Sequence, residues 1–151
     1  MKLEPLMEYS ATLRRPPERP GPGPFGNRTV WSVTGGAFQG PKLRGKILPT
    51  GGDWILADAE GVGRLDVRAT LETDDGALIY LQYFGINRPE PGRPPRAPGE
   101  LAQYGDRYFM TAPRFETGDE RYRWLNGLVC VAEGKGTPDG VAYRVFAVEN
   151  S

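Results

Sequence analysis

The stretch Arg64-Leu65-Asp66-Val67-Arg68-Ala69-Thr70-Leu71-Glu72-Thr73-Asp74-Asp75-Gly76-Ala77-Leu78-Ile79-Tyr80-Leu81-Gln82-Tyr83-Phe84 decides the fold class. Leu65, Val67, Ala69 and Leu71 alternate with Asp66, Arg68, Thr70 and Glu72, a period of two that puts the two sets on opposite faces of a strand. Thr73-Asp74-Asp75-Gly76 then supplies turn chemistry. In the run that follows, Ile79, Leu81 and Tyr83 share one face, and Tyr80, Gln82 and Phe84 share the other. Two alternating runs joined by a tight, glycine-containing turn read as an antiparallel hairpin. The acidic pair in that turn looks like a metal-ligand run, but its place between two strong strands makes it a turn.

The same grammar continues outward in both directions. Further strands are predicted near Leu6–Leu13, Thr29–Phe38, Lys42–Leu48, Asp53–Ala57, Tyr108–Phe115, Leu125–Glu133 and Val141–Glu149. Glycine or proline punctuates the junctions, as at Gly40-Pro41, Gly51-Gly52, Gly61-Val62-Gly63, Gly134-Lys135-Gly136 and Asp139-Gly140. Helical periodicity is almost missing, with one candidate turn around Gly118–Tyr122. A meander of this length curls and closes, because closure removes exposed strand edges. The expectation is an all-β fold: a single antiparallel β-barrel domain over residues 1–151, with about nine strands and at most one short helical turn. Two Pro/Gly-rich loops interrupt the rhythm, at 14–27 (RRPPERPGPGPFGN) and 89–99 (PEPGRPPRAPG). Proline keeps both out of a sheet interior. They read either as exposed linkers or as lids over a barrel mouth.

Composition narrows the function. A chain of 151 residues with 38% hydrophobic content has enough apolar matter for one core. Its 19 basic and 19 acidic residues cancel, whereas a nucleic-acid binder carries a basic surplus to neutralise phosphates. No apolar run approaches the roughly 20 residues that span a bilayer, and the start lacks a signal-peptide core, so the expected location is cytoplasmic with no membrane partner. The single cysteine, Cys130, excludes an internal disulfide and a thiolate cluster, and its apolar strand context makes it a core residue. Histidine is absent. That removes Ser-His-Asp and Cys-His catalysis and the commonest metal ligand, so neither a cofactor nor a metal is expected. Proton transfer would fall to carboxylates, tyrosines, lysines or the substrate.

Candidate site residues follow from this elimination. Gly51-Gly52-Asp53-Trp54 reads either as a hairpin turn followed by a core tryptophan or as a carboxylate at the barrel rim, Asp53, with the stacking surface of Trp54 beside it. An acid desolvated in such a place has a raised pKa and can act as a general base without histidine. Asp66 and Arg68 either lie on a solvated face or form an ion pair inside the barrel. Tyr80, Tyr108, Glu116, Trp124 and Asn126 add aromatic and hydrogen-bonding groups suited to a flat, oxygenated molecule, or equally to packing at the barrel ends.

The run Val33-Thr34-Gly35-Gly36-Ala37-Phe38-Gln39-Gly40-Pro41-Lys42-Leu43-Arg44-Gly45 resembles the DUF3237 (UPF0311) family. Gly52-Asp53-Trp54, Thr73 to Tyr80, Tyr108 to Thr117, Tyr122, Trp124-Leu125-Asn126 and Tyr143-Arg144-Val145-Phe146 are similar to its later signatures. The resemblance spans almost the whole chain in order, with the two proline-rich segments as its variable parts. It implies an antiparallel β-barrel. From members in natural-product pathways it also implies a precedent for cofactor-free ring closure, in which a hydroxyl adds within one molecule across a carbon–carbon double bond.

The leading expectation is therefore a cofactor-independent cyclase or isomerase acting on a small aromatic or polyketide-like molecule. In it Asp53 or Glu116 is the base, Arg68 stabilises an oxyanion, and Tyr80 donates a hydrogen bond. Trp54, Asp66, Tyr108, Trp124 and Asn126 would bind substrate. The alternatives are a lipocalin-like binding protein and an interaction domain with a filled barrel. A homo-oligomer is plausible for a small barrel.

Overall fold

The computed structural model describes residues 1–151. Nine strands form one sheet in the order β4-β3-β2-β1-β9-β8-β6-β5-β7, and an added β4–β5 pairing closes it. The strands are β1 (Lys2–Leu13), β2 (Asn27–Gln39), β3 (Arg44–Ala57), β4 (Gly63–Thr73), β5 (Leu78–Pro89), β6 (Arg107–Thr111), β7 (Arg114–Glu116), β8 (Cys130–Gly136) and β9 (Gly140–Glu149). Eight of them make the closed antiparallel barrel, and β7 is an extra strand that runs along β5 beyond the end of β6. No helix is long and apolar enough to cross a membrane.

The hairpin forms as its alternation predicts. Leu65, Val67, Ala69, Leu71, Ile79, Leu81 and Tyr83 are buried inside the barrel, each large aliphatic side chain contributing about 1.5–3 kcal/mol by leaving water. Between the strands, the Gly76 N–H donates to the Thr73 carbonyl at 2.9 Å, and the Ala77 N–H donates to Thr73 Oγ1 at 2.8 Å. The acidic turn is a turn.

Three elements differ from expectation, each for a local reason. The glycine pair at 51–52 does not separate two strands, because β3 runs through it. The β3–β4 ladder shifts between Ile47 and Gly51, and Gly51 has φ +87°. This left-handed backbone, easy for glycine, lets the strand bulge and bend without ending. The strand expected over Tyr108–Phe115 breaks into β6 and β7 around Ala112-Pro113, where proline has no N–H for the ladder. The strand expected over Leu125–Glu133 starts only at Cys130, and a 3-10 helix occupies Glu120–Gly127. Asp119 caps that helix, its carboxylate accepting the Arg121 N–H at 3.0 Å. Tyr122 and Leu125 are buried in the core, and the Tyr122 hydroxyl donates to the Asp75 carboxylate at 2.9 Å.

Because neighbouring barrel strands are antiparallel, the connections sort to two ends. The β4–β5 turn and the 3-10 helix lie at one end, tied together by Tyr122 and Asp75. The β1–β2, β3–β4, β5–β6 and β8–β9 connections lie at the other, including both proline-rich segments.

Candidate functional site

The second end is a mouth. Beneath it lies a cavity of about 290 Å³, near the lower end of the roughly 300–1,000 Å³ typical of small-molecule sites. An eight-stranded barrel has room for one such ligand when its interior is not filled by side chains. Tyr83, Tyr143 and Phe109 line the cavity. Tyr9 stacks on Tyr143 with ring centroids 4.9 Å apart, while Phe109 and Tyr83 meet Tyr143 edge-on at 5.3 and 5.4 Å. Gly134 makes the cluster possible, because a Cβ there would lie 2.8 Å from the Tyr143 ring and 2.9 Å from Phe109.

Asp53 sits on the inner wall among these rings. In the strand ladder it stands between Trp31 of β2 and Val67 of β4, and all three line the cavity. The paired positions of β3 and β4 skip Trp54 and Ile55, and the Asp66 N–H donates to Asp53 Oδ1 at 3.1 Å. Burial pushes the Asp53 carboxyl up to about 6; the Asp66 charge pushes the same way, against the pull of that N–H. Burial also raises Tyr9, Tyr83 and Tyr143 above the ordinary phenol range, and the Asp53 charge adds to the rise. All three therefore stay protonated as donors near neutral pH. The Tyr9 hydroxyl is buried with no hydrogen-bond partner.

The structure brings Asp53 to the cavity and leaves the other expected residues outside it. Asp66 and Arg68 form their ion pair, at 3.0 Å, on the outer wall rather than inside. Strand parity explains this: Val67, between them, points inward. Trp54 also faces out, 38% exposed, with the Arg68 guanidinium 6.0 Å from its ring. Tyr80 and Glu116 are exposed cross-strand neighbours on the outer face of β5 and β7. The Tyr80 hydroxyl donates to Gln82 at 3.5 Å. Tyr108 packs outside against Arg88, 4.2 Å from its ring. Trp124 lies on the 3-10 helix, 5.3 Å from the Lys42 ammonium. Asn126 clamps the chain ahead of that helix, accepting the Thr117 N–H at 2.8 Å and donating to the Thr117 carbonyl at 2.9 Å. None of these eight lines the cavity.

Sequence reasoning missed the tyrosine floor and the rim. Tyr83 was readable, because parity puts it with Ile79 and Leu81. Tyr9 and Tyr143 face the same interior, but their meeting depends on the β1–β9 register, which pairs them directly. At the rim, Arg15 and Arg96 come from the two proline-rich segments, and Arg107 and Lys135 from strand ends. Loop residues carry no periodicity to announce where they fold.

Cys130 is buried, as its strand context implies, and burial pushes its thiol up to about 11. Three or more Cys, Asp or Glu residues do not gather anywhere in a metal-holding arrangement.

Comparison with known proteins agrees with this architecture. The profile of DUF3237, described as a protein of unknown function, matches residues 1–148. A UPF0311 protein of Rhodopseudomonas palustris is 36% identical over 124 residues, covering 82% of this chain and 81% of that one. A β-barrel-like protein from Acinetobacter baumannii superposes with a TM-score of 0.87 at 34% identity, over 98% of this chain and 96% of the other. A barrel from Penicillium herquei, described as an enzyme, shares the fold at 20% identity, with a TM-score of 0.74 over 98% of this chain and 94% of its own.

Proposed function

Because the chain belongs to the DUF3237 family, a family of such barrels, we propose that it is a cofactor-independent acid–base enzyme that closes or isomerises a small aromatic or polyketide-like molecule inside the barrel. One observation carries the reading: Asp53, on the inner wall, is poised at about 6 by burial and faces a cavity floored with phenols. A carboxylate with that pKa accepts a proton at neutral pH and can return it. The Penicillium herquei barrel lends support by fold alone, since it is described as an enzyme.

In a ring closure, the Asp53 carboxylate takes the proton of a substrate hydroxyl as its oxygen attacks the β-carbon of a conjugated double bond. The C–O bond forms, the π bond opens, and the electron pair moves to the carbonyl oxygen. Tyr83 and Tyr143, held protonated by burial, donate hydrogen bonds to that oxyanion. Protonated Asp53 then delivers its proton to the α-carbon, leaving an oxygen heterocycle with no oxidant consumed. Holding a flexible substrate in the reactive fold lowers the barrier further.

The test is turnover of ortho-hydroxyaryl enones, with 2′-hydroxychalcone as the first probe, followed by loss of the enone absorbance. The wild-type chain should accelerate closure, with kcat/KM rising with pH through about 6 as Asp53 ionises. Asp53→Asn should lose about 100-fold or more in kcat while retaining affinity. If Asp53→Asn keeps its rate and pH profile, Asp53 is not the base. Tight binding with no turnover by either protein would identify a carrier instead.

A further inference from the structure

We propose that the molecule held in this barrel is a planar organic anion, an aromatic carboxylate or a comparably acidic enol, whose charge is gripped at the mouth by Arg15, Arg96, Arg107 and Lys135. This rests on reading the cavity as a ligand site and adds the chemical class of the ligand.

The chain as a whole is neutral, with 19 basic and 19 acidic residues, yet the lining of its cavity is not. Four cations line the cavity against two carboxylates, Asp53 and Asp106. Both acids are already engaged by backbone donors: Asp53 accepts the Asp66 N–H at 3.1 Å, and Asp106 accepts the Gln103 N–H at 2.8 Å. Seven of the other fifteen arginines and lysines pair with acids, as Arg64 does with Asp58 and Arg144 with Glu133. No rim cation has such a partner within 4.0 Å.

Neutral groups hold them instead. Arg15 donates to the Pro138 carbonyl at 3.3 Å, Arg96 to the Glu100 carbonyl at 3.0 Å, and Arg107 to Asn87 Oδ1 at 2.6 Å. Lys135 lies 4.8 Å from the Tyr104 ring. These contacts fix the side chains at the rim without neutralising them. Each guanidinium keeps further N–H groups for a carboxylate. Arg15 and Arg96 also stand on proline-rich backbone, which loses less conformational freedom on ordering.

Positive groups around a low-dielectric pit concentrate their field in it. They would draw an anion head to the rim while its ring enters against Tyr83, Tyr143 and Phe109. That orientation keeps the ligand's negative charge away from Asp53 and places its uncharged end beside that carboxylate.

Calorimetric titration of the full chain with 2-naphthoate and with its neutral isostere 2-naphthamide tests this. Naphthoate should bind about tenfold tighter or better at low ionic strength, and its advantage should shrink as salt rises. An Arg96→Gln/Arg107→Gln variant should lose that advantage while its affinity for naphthamide is unchanged. If the amide binds as tightly as the acid, or the double variant keeps the preference, the anion assignment is wrong and the cavity reading stands. If neither ligand binds, or if binding of both survives a Val67→Phe substitution that fills the cavity, both readings fall together.

Discussion

Asp53 is a residue whose placement costs stability. Its carboxyl is held at about 6 in the folded barrel, against about 3.9 in an unfolded chain. Between those values the folded state binds more protons than the unfolded one, so this residue's contribution to stability falls as pH rises through the window. Above pH 6 the full penalty applies; below pH 4 it vanishes. Asp53→Asn, which removes the ionisation, should therefore stabilise the protein by up to about 3 kcal/mol at pH 8 and by little at pH 4. Thermal melts of both proteins across that range check the prediction. A gain that does not depend on pH would mean the carboxylate is not desolvated as the structure has it. Such a penalty, at a group lining a cavity, is what a site selected for proton transfer rather than for rigidity would carry.

At the scale of elements, the 3-10 helix separates structural from functional asparagine. Asn126 was a candidate ligand contact on residue type, but its amide is spent on both backbone groups of Thr117. Asn126→Ala should cost about 1–3 kcal/mol by orphaning those partly buried groups, measured by denaturant unfolding. Binding of 2-naphthoate should be unchanged, because the helix lies at the end of the barrel opposite the mouth; weaker binding by a well-folded variant would contradict that assignment. The β4–β5 hairpin was legible to the residue, since Leu65 to Leu71 and Ile79 to Tyr83 carry an uninterrupted period of two. The helical turn expected around Gly118–Tyr122 is there, but its extension to Gly127 was not legible, since Tyr122 and Leu125 are drawn in by contacts with Asp75 and the core, which no local pattern encodes. Gly51 was misread for a related reason, because a bulge and a turn use the same glycine and only the ladder around it tells them apart.

Across the whole molecule, the barrel is filled with side chains such as Leu71, Ile79 and Leu125 toward the helix end and leaves space toward the mouth, where Tyr83, Tyr143 and Phe109 meet aliphatic neighbours such as Val33 and Leu65. Val67 lies at the border, buried on the inner wall and lining the cavity beside Asp53. Val67→Phe should fill that space and abolish ligand binding, with a stability change within about 1–2 kcal/mol, because the added ring meets a void rather than packed neighbours. Calorimetry and a melting curve check the two halves of that outcome, and a collapse in stability would show the cavity to be smaller than it looks. An all-β closed barrel, its hairpin faces and the core role of Cys130 could be read from the sequence, because alternation and turn residues are local signals. Asp53 was expected at the barrel rim after a turn, and only the bulged course of β3 sets it on the inner wall. The side of the wall on which Asp66 and Arg68 stand, the convergence of Tyr9, Tyr83 and Tyr143, and the ring of unpaired cations at the mouth were decided by the tertiary structure alone. Those features depend on register and closure, which bring residues from distant strands and loops to one level of the barrel, and strand periodicity says nothing about who meets whom across it.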